Sequence, residues 1–169
     1  YPSLTGEVML HAYDNDRQSI ARDLIGKCSP EQIAAAPPIL LRQAAASLDF
    51  QTAMTLVDKG IRPGDYVVDV LHTLTGQHQN WMAERLLEHG MPVAPNNYAA
   101  LYVCLNNGAA DIGKLLLDRG IDLEQYQIWA EKQRKNEGYM EAMEELTAYW
   151  EKLQNAPQQD DPSLGDMSL

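Results

Sequence analysis

Histidine and cysteine side chains are the first candidates for chemistry in this chain. The histidines stand at positions 11, 72, 78 and 89, and none lies in an HExxH pattern or a Cys/His zinc spacing. Cys28 and Cys104 match no metal-ligand spacing either, and Cys104 lies in an apolar run typical of a small buried side chain. GxSxG, P-loop and Rossmann glycine patterns are also missing. We therefore expect no enzymatic activity, no cofactor and no metal.

The charge balance narrows the classes of partner. The chain has 24 acidic and 13 basic residues, a net charge of -11, which disfavours nucleic acid and an anionic membrane surface. The same charge suits solubility or a basic protein partner. No stretch is long and apolar enough to span a bilayer, and no signal peptide is visible. The cytoplasm is favoured, although export stays open because the chain begins at Tyr1 rather than methionine.

An internal repeat in the sequence predicts the helices that would position any functional site. Three 20-residue segments, 41–60, 71–90 and 101–120, align without gaps at a period of 30 residues. Each ends in an apolar pair, two polar residues, a glycine, and then Ile or Met. A glycine at this place can take the left-handed conformation that closes a helix. The helix dipole also favours a cation in the last turn. We therefore predict helices that end at Lys59, His89 and Arg119.

These are the second helices of the repeat units, and the first helix of each unit begins after a turn signal. Asp65 and Asn97 are predicted N-caps, and Asp122 opens a further helix. Short polar stretches, such as 47–50 and 106–111, separate the two helices of each unit. The unit is thus predicted to be helix, short turn, helix, short loop.

The third segment resembles the ankyrin-repeat consensus LHLAAxxGHLEIVxLLLxxG, with Gly108 after the first helix and Gly120 at the end. Ala44 and Ala45 match the paired alanines, and His72 matches the histidine, which the resemblance implies is a structural core residue. The TPLH tetrapeptide is missing, and the period is shorter than the usual ankyrin value of about 33 residues. The lost residues fall where ankyrin hairpins project, so we predict short loops with little or no strand.

Partial repeats are expected to cap both ends of the stack. The N-terminal cap covers about residues 6–33, and the C-terminal cap about 124–153, with a polar inner helix over 131–135 and Gly138 placed 30 residues after Gly108. The predicted fold is all-α: an ankyrin-like solenoid of helix-turn-helix repeats, three central and two capping, in a domain of residues 1–154. Residues 155–169 are predicted to form a disordered acidic tail.

The resemblance implies that partners bind to the inner helices. Tyr98, Tyr102 and Asn106 share one helical stripe, and tyrosine and tryptophan are frequent binding anchors. Each ring could instead pack between repeats, and Trp81 and Trp150 fall in the outer-helix frame. The predicted partner-binding residues are Tyr66, Asp69, Tyr98, Tyr102, Asn106, Asn107, Tyr126 and Trp129.

The leading functional hypothesis is a protein-binding ankyrin-repeat module, monomeric when free, such as an inhibitor or immunity-type protein of a basic enzyme or toxin. An alternative is the ankyrin-repeat region of a bacterial effector that binds a host protein. Two hypotheses of other classes are an enzyme with a degenerate active site in the groove and a dimerisation module.

Overall fold

The computed structural model of the chain describes residues 2–14 and 17–156. The regular structure in these ranges is entirely α-helical, which confirms the all-α prediction and the prediction of little or no strand. The predicted tail began at residue 155, but Asn155 is the last residue of α11 and Ala156 follows it, and the rest of the predicted tail, residues 157–169, lies outside the described residues. No helix in the described ranges combines the length and apolar character needed to cross a membrane.

The helices follow one another at short intervals along the described ranges. They are α1 (Pro2–Asp14), α2 (Gln18–Lys27), α3 (Pro30–Ala34), α4 (Ile39–Ala46), α5 (Phe50–Asp58), α6 (Tyr66–Gly76), α7 (Asn80–Glu88), α8 (Tyr98–Asn106), α9 (Ala110–Asp118), α10 (Leu123–Ala130) and α11 (Glu137–Asn155).

Successive helix pairs pack side by side in two rows. The inner row consists of α1, α4, α6 and α8, each of which packs on the next, and of α10, which packs on α8. Helices α2, α5, α7, α9 and α11 form the outer row, and the two helices of each central pair also contact each other. The last pair differs, because α11 packs on both α8 and α9.

The 30-residue period reappears in the buried core. Leu41, Leu71 and Leu101 are fully buried at equivalent places in the inner row. Leu56, Leu86 and Leu116 are fully buried at equivalent places in the outer row. Each such leucine contributes roughly 1.5–3 kcal/mol to folding through the area it removes from water. The repeat therefore follows from one apolar pattern that each pair can bury only against its neighbours.

Left-handed backbone positions close both helices of a repeat. Gly60, Gly90 and Gly120 have φ of +89°, +98° and +108°, as predicted for the residues that end the outer helices. The inner helices also end at left-handed residues spaced by 30, namely Leu48, His78 and Gly108, with φ of +54°, +58° and +72°. Only the third of these carries the glycine that such a conformation favours.

Side-chain caps start five of the eleven helices in the described ranges, and two of these caps are at predicted places. Asn97 accepts a hydrogen bond from the Ala100 amide at 3.3 Å, and Asp122 accepts one from the Gln125 amide at 3.1 Å. The prediction for Asp65 was wrong. Its backbone is already right-handed, at φ −68° and ψ −16°, and its side chain makes no capping hydrogen bond to α6.

Three further predictions need correction. His72 is exposed on α6 rather than part of the core. The predicted inner helix at 131–135 lies beyond the end of α10 at Ala130, in a turn that the Lys135 ammonium stabilises through the Ala130 carbonyl at 2.7 Å. Gly138 lies in the first turn of α11 rather than between two helices, as its alignment with Gly108 predicted, because Asn136 caps α11 and accepts a hydrogen bond from the Tyr139 amide at 2.9 Å.

The residues that end the outer helices join neighbouring pairs. The Lys59 ammonium donates to the carbonyls of Ile25, Gly26 and Cys28 at 2.8–2.9 Å, at the C-terminal end of α2. The Arg119 guanidinium donates in the same way to the Leu87 carbonyl near the end of α7. Each cation thus adds a charged hydrogen bond to carbonyls at the C-terminal end of the preceding helix, where the regular helical hydrogen bonds stop.

Candidate binding surface

Three partly exposed aromatic rings meet where α8 and α10 pack together. Tyr98 and Tyr102 stand one helical turn apart on α8, and Trp129 lies on α10. The Trp129 ring centroid is 6.1 Å from that of Tyr98 and 5.8 Å from that of Tyr102. These separations are typical of tilted and edge-to-face ring pairs, which hold the rings in fixed positions. The three rings therefore form one preorganised aromatic surface.

Two buried tyrosines support this surface from beneath. Tyr126 is 0% exposed and Tyr139 is 3% exposed, and their hydroxyl oxygens lie 2.9 Å apart. Burial is the main cause that raises the pKa of both hydroxyl groups. The prediction that Tyr126 contacts a partner was wrong, because the ring has no accessible surface. It instead lies 6.4 Å from Tyr98 and 6.0 Å from Trp129, measured between ring centroids.

Tyr66 and Asp69 lie on the neighbouring helix of the inner row. Both are partly exposed on α6, which packs directly against α8. They place an aromatic and an acidic side chain on the inner-row helix next to the one that carries Tyr98 and Tyr102. An acidic side chain at this edge adds a charge that can pair with a basic residue of a partner.

The Asn107 side chain forms hydrogen bonds between two neighbouring repeats. Its side-chain amide nitrogen donates to the His72 carbonyl at 3.1 Å and to the Thr75 hydroxyl at 3.0 Å. It also lies 3.3 Å from Nδ1 of His72. These contacts join the ends of α8 and α6, so the amide group is already used within the protein.

Asn106 lies beside a small surface cavity. The cavity has a volume of about 170 Å³ and is lined by Tyr102, Asn106, Arg134, Lys135 and Asn136. The backbone carbonyl of Asn106 accepts a hydrogen bond from Asn136 at 2.8 Å, whereas its buried Oδ1 has no hydrogen-bond partner.

The turn after α10 completes this edge of the surface, and sequence reasoning missed it. The Tyr102 hydroxyl donates to the Arg134 carbonyl at 2.5 Å, which fixes the ring and the turn together. The signal was present, since the run Glu131 to Asn136 is polar throughout, but the repeat register favoured a helix there. Arg134 and Lys135 therefore join the candidate surface through a turn that the repeat does not predict.

The groups on this surface are aromatic rings, amide groups and a few charged side chains. Aromatic rings and amide groups can bury area and exchange hydrogen bonds with another molecule. The described residues contain no group of three or more His, Cys, Asp or Glu side chains arranged to hold a metal ion. No protein-family model matches the chain, and neither the curated proteins nor the solved structures include a significant match to it.

Proposed function

We propose that this chain is a protein-binding module of ankyrin-like type, and that it recognises its partner through the inner-row surface of α6, α8 and α10. The observation that carries the proposal is the aromatic surface itself. Tyr98, Tyr102 and Trp129 are partly exposed while their rings are held against buried Tyr126 and Tyr139. Rigid, partly exposed aromatic side chains lose little entropy on binding, which makes them effective anchors.

The ankyrin-like solenoid arrangement is part of the same proposal. It is supported by the two rows of helices, the 30-residue period of buried leucines, and the left-handed residues that close both helices of a repeat. Short loops replace the projecting hairpins, so recognition rests on the inner-row helices. In this arrangement the free protein is a monomer, and the surface binds rather than catalyses.

The partner that we propose is a basic protein, and the role is that of an inhibitor or immunity-type protein that covers a basic enzyme or toxin. The net charge of -11 supports this choice, because opposite charge accelerates encounter between two proteins. Asp69 lies on the proposed surface itself. Binding should therefore weaken as the salt concentration rises.

The test is affinity capture from the native source with three forms of the full chain. They are the unaltered protein, Trp129→Ala in the proposed surface, and Trp81→Ala as a matched control. Trp81 is 51% exposed on α7 of the outer row, where its ring packs on Phe50 with centroids 4.7 Å apart. We expect the Trp81 variant to retain the same partner, and the Trp129 variant to bind it roughly thirtyfold more weakly, as for an anchor residue.

The captured protein should then be purified and titrated against all three forms. Circular dichroism must show that both variants keep their helices. Equal affinity of the Trp129 variant and the unaltered protein would disprove the proposed surface. Loss of binding in the Trp81 variant alone would place recognition on the outer row instead.

A further inference from the structure

A shallow groove runs along the outward flank of α11, the last helix of the outer row. It has a volume of about 330 Å³ and is lined by Met140, Met143, Glu144, Thr147, Ala148 and Glu151. Met140 is 59% exposed. The helix packs on α8 and α9 through another flank, where Tyr139, Ala142 and Leu146 are buried.

The repeat register identifies what kind of element fits this groove. Helix α9 contacts α11 through Gly113, which faces the Leu146 side chain, and through Lys114, which pairs with Glu145 at 3.6 Å. Asp118 accepts a hydrogen bond from the Tyr149 hydroxyl at 2.5 Å. The residues 30 positions later on α11 are Met143, Glu144 and Ala148.

All three of these equivalent residues line the groove. The flank of α11 thus presents the positions through which one outer-row helix receives the next. Methionine suits such a place because its flexible side chain adapts to the helix that packs on it. An incoming helix would cover the exposed apolar part of Met140 and extend the outer row by one element.

The acidic residues of α11 indicate what kind of helix can bind in the groove. Where α9 carries Lys114, α11 carries Glu144, and Glu151 adds a second exposed carboxylate at the groove. The whole of α11 carries five glutamates and one lysine. A second copy that packed α11 against α11 would bring Glu144 and Glu151 against the same acidic residues, so that mode of self-association is disfavoured. A helix with basic residues beside its apolar face is complementary to the groove.

We propose that this groove binds a basic amphipathic helix of a partner protein, which packs on α11 as a further member of the outer row. The site is separate from the inner-row aromatic surface and does not depend on the function proposed for it. Its elements are an apolar floor of Met140, Met143 and Ala148 and an acidic rim of Glu144 and Glu151.

A direct test uses a synthetic peptide of about 20 residues, leucine and lysine at helical spacing, labelled for fluorescence anisotropy. A scrambled peptide of the same composition has the same charge without an apolar face. We expect the full chain to bind the amphipathic peptide at physiological salt, and the scrambled peptide at least about tenfold more weakly. A full chain that binds neither peptide would overturn the proposal, including the case in which residues 157–169 fill the groove.

Matched variants distinguish the groove from the general acidity of the chain. Glu144→Gln with Glu151→Gln should weaken binding roughly fivefold, through loss of two exposed charge pairs. Glu84→Gln with Glu88→Gln removes the same charge from exposed positions on α7 and should leave the dissociation constant within about twofold. Equal losses in the two pairs would overturn the site.

The apolar floor has its own test. Met140→Lys places a cation on an exposed residue in the groove, so the variant should fold and should bind the amphipathic peptide at least about tenfold more weakly. Unchanged affinity would overturn the proposal. Sedimentation of the full chain should give the monomer mass at all concentrations. A concentration-dependent dimer that Met140→Lys abolishes would show that a second copy occupies the groove, which also overturns it.

Discussion

Nδ1 of His89 lies 2.8 Å from Oδ1 of Asp58, and this contact joins the C-terminal ends of α7 and α5. The equivalent residues in the other repeats are Lys59, Arg119 and Tyr149, so that with His89 the position recurs every 30 residues. Each of the three also binds the preceding outer-row helix or the residues at its end. One sequence position therefore connects every described pair of the outer row to the pair before it, although the side chain differs each time.

Lys59 provides the first prediction. Its ammonium group donates to three carbonyls at the end of α2, and hydrogen bonds to charged groups are each worth about 1.5–3 kcal/mol when fully used. Since the three bonds share one partly exposed ammonium, we expect Lys59→Met to lower the free energy of unfolding by about 2 kcal/mol. Urea denaturation measures the loss. Lys152→Met on exposed α11 is the control, and an equal effect of both substitutions would contradict the assignment.

The second prediction concerns the left-handed residue between the helices of a repeat. His78 has φ of +58°, at the place where the next repeat has Gly108. A left-handed conformation costs a non-glycine residue roughly 1 kcal/mol, so we expect His78→Gly to raise the free energy of unfolding by about that amount. Its neighbour Gln77 has a negative φ of −98°, which needs no glycine, so Gln77→Gly should not stabilise the protein. Thermal unfolding of both variants decides between these outcomes.

The local parts of the fold could be read from the sequence. The glycines at 60, 90 and 120 and the caps at Asn97 and Asp122 were predicted because each depends on one or two neighbouring residues. The end of α10 was not predicted. Residues 131–135 are helix-compatible in sequence, and only the bonds from Lys135 and Asn136 to nearby carbonyls show that the chain turns there.

The binding surface was predictable only in part, for a related reason. Helical spacing correctly placed Tyr98 and Tyr102 on one stripe of α8. On α10 the buried residues Leu123, Tyr126 and Ala130 have helical spacing, but the further apolar residues Ile128 and Trp129 obscure that stripe in the sequence. Sequence reasoning therefore did not separate buried Tyr126 from partly exposed Trp129. That difference depends on Tyr139 of α11, whose hydroxyl meets that of Tyr126 across the core.

The third prediction concerns the stability of the protein at alkaline pH, to which Tyr13 contributes. Burial is the largest of the causes that raise its pKa to about 12, and the nearby Asp49 carboxylate contributes. An unfolded tyrosine has a pKa near 10, so between about pH 10 and 12 the folded protein keeps a proton that the unfolded chain has lost. The free energy of unfolding should therefore fall as pH rises through this window.

The substitution Tyr13→Phe removes this contribution. It should make the fall in stability between about pH 10 and 12 shallower than in the unaltered protein. At neutral pH it should cost about 1 kcal/mol, because Asp49 loses the hydrogen bond from the Tyr13 hydroxyl at 3.3 Å. Urea denaturation across the pH range measures both effects. A parallel decline in the two proteins would show that Tyr13 does not carry the alkaline sensitivity.

The final prediction separates the support of the aromatic surface from the surface itself. In Tyr126→Phe the buried Tyr139 hydroxyl loses its partner 2.9 Å away, which should cost about 1–2 kcal/mol of stability. Replacing both tyrosines by phenylalanine removes the unpaired group, so the double variant should lose about 1 kcal/mol less than the sum of the single variants. Because Tyr126 has no accessible surface, affinity for the captured partner should stay unchanged in Tyr126→Phe wherever the protein is folded. Additive losses would show that the two hydroxyl groups are not coupled, whereas weaker binding at full folding would show that Tyr126 becomes accessible in the complex.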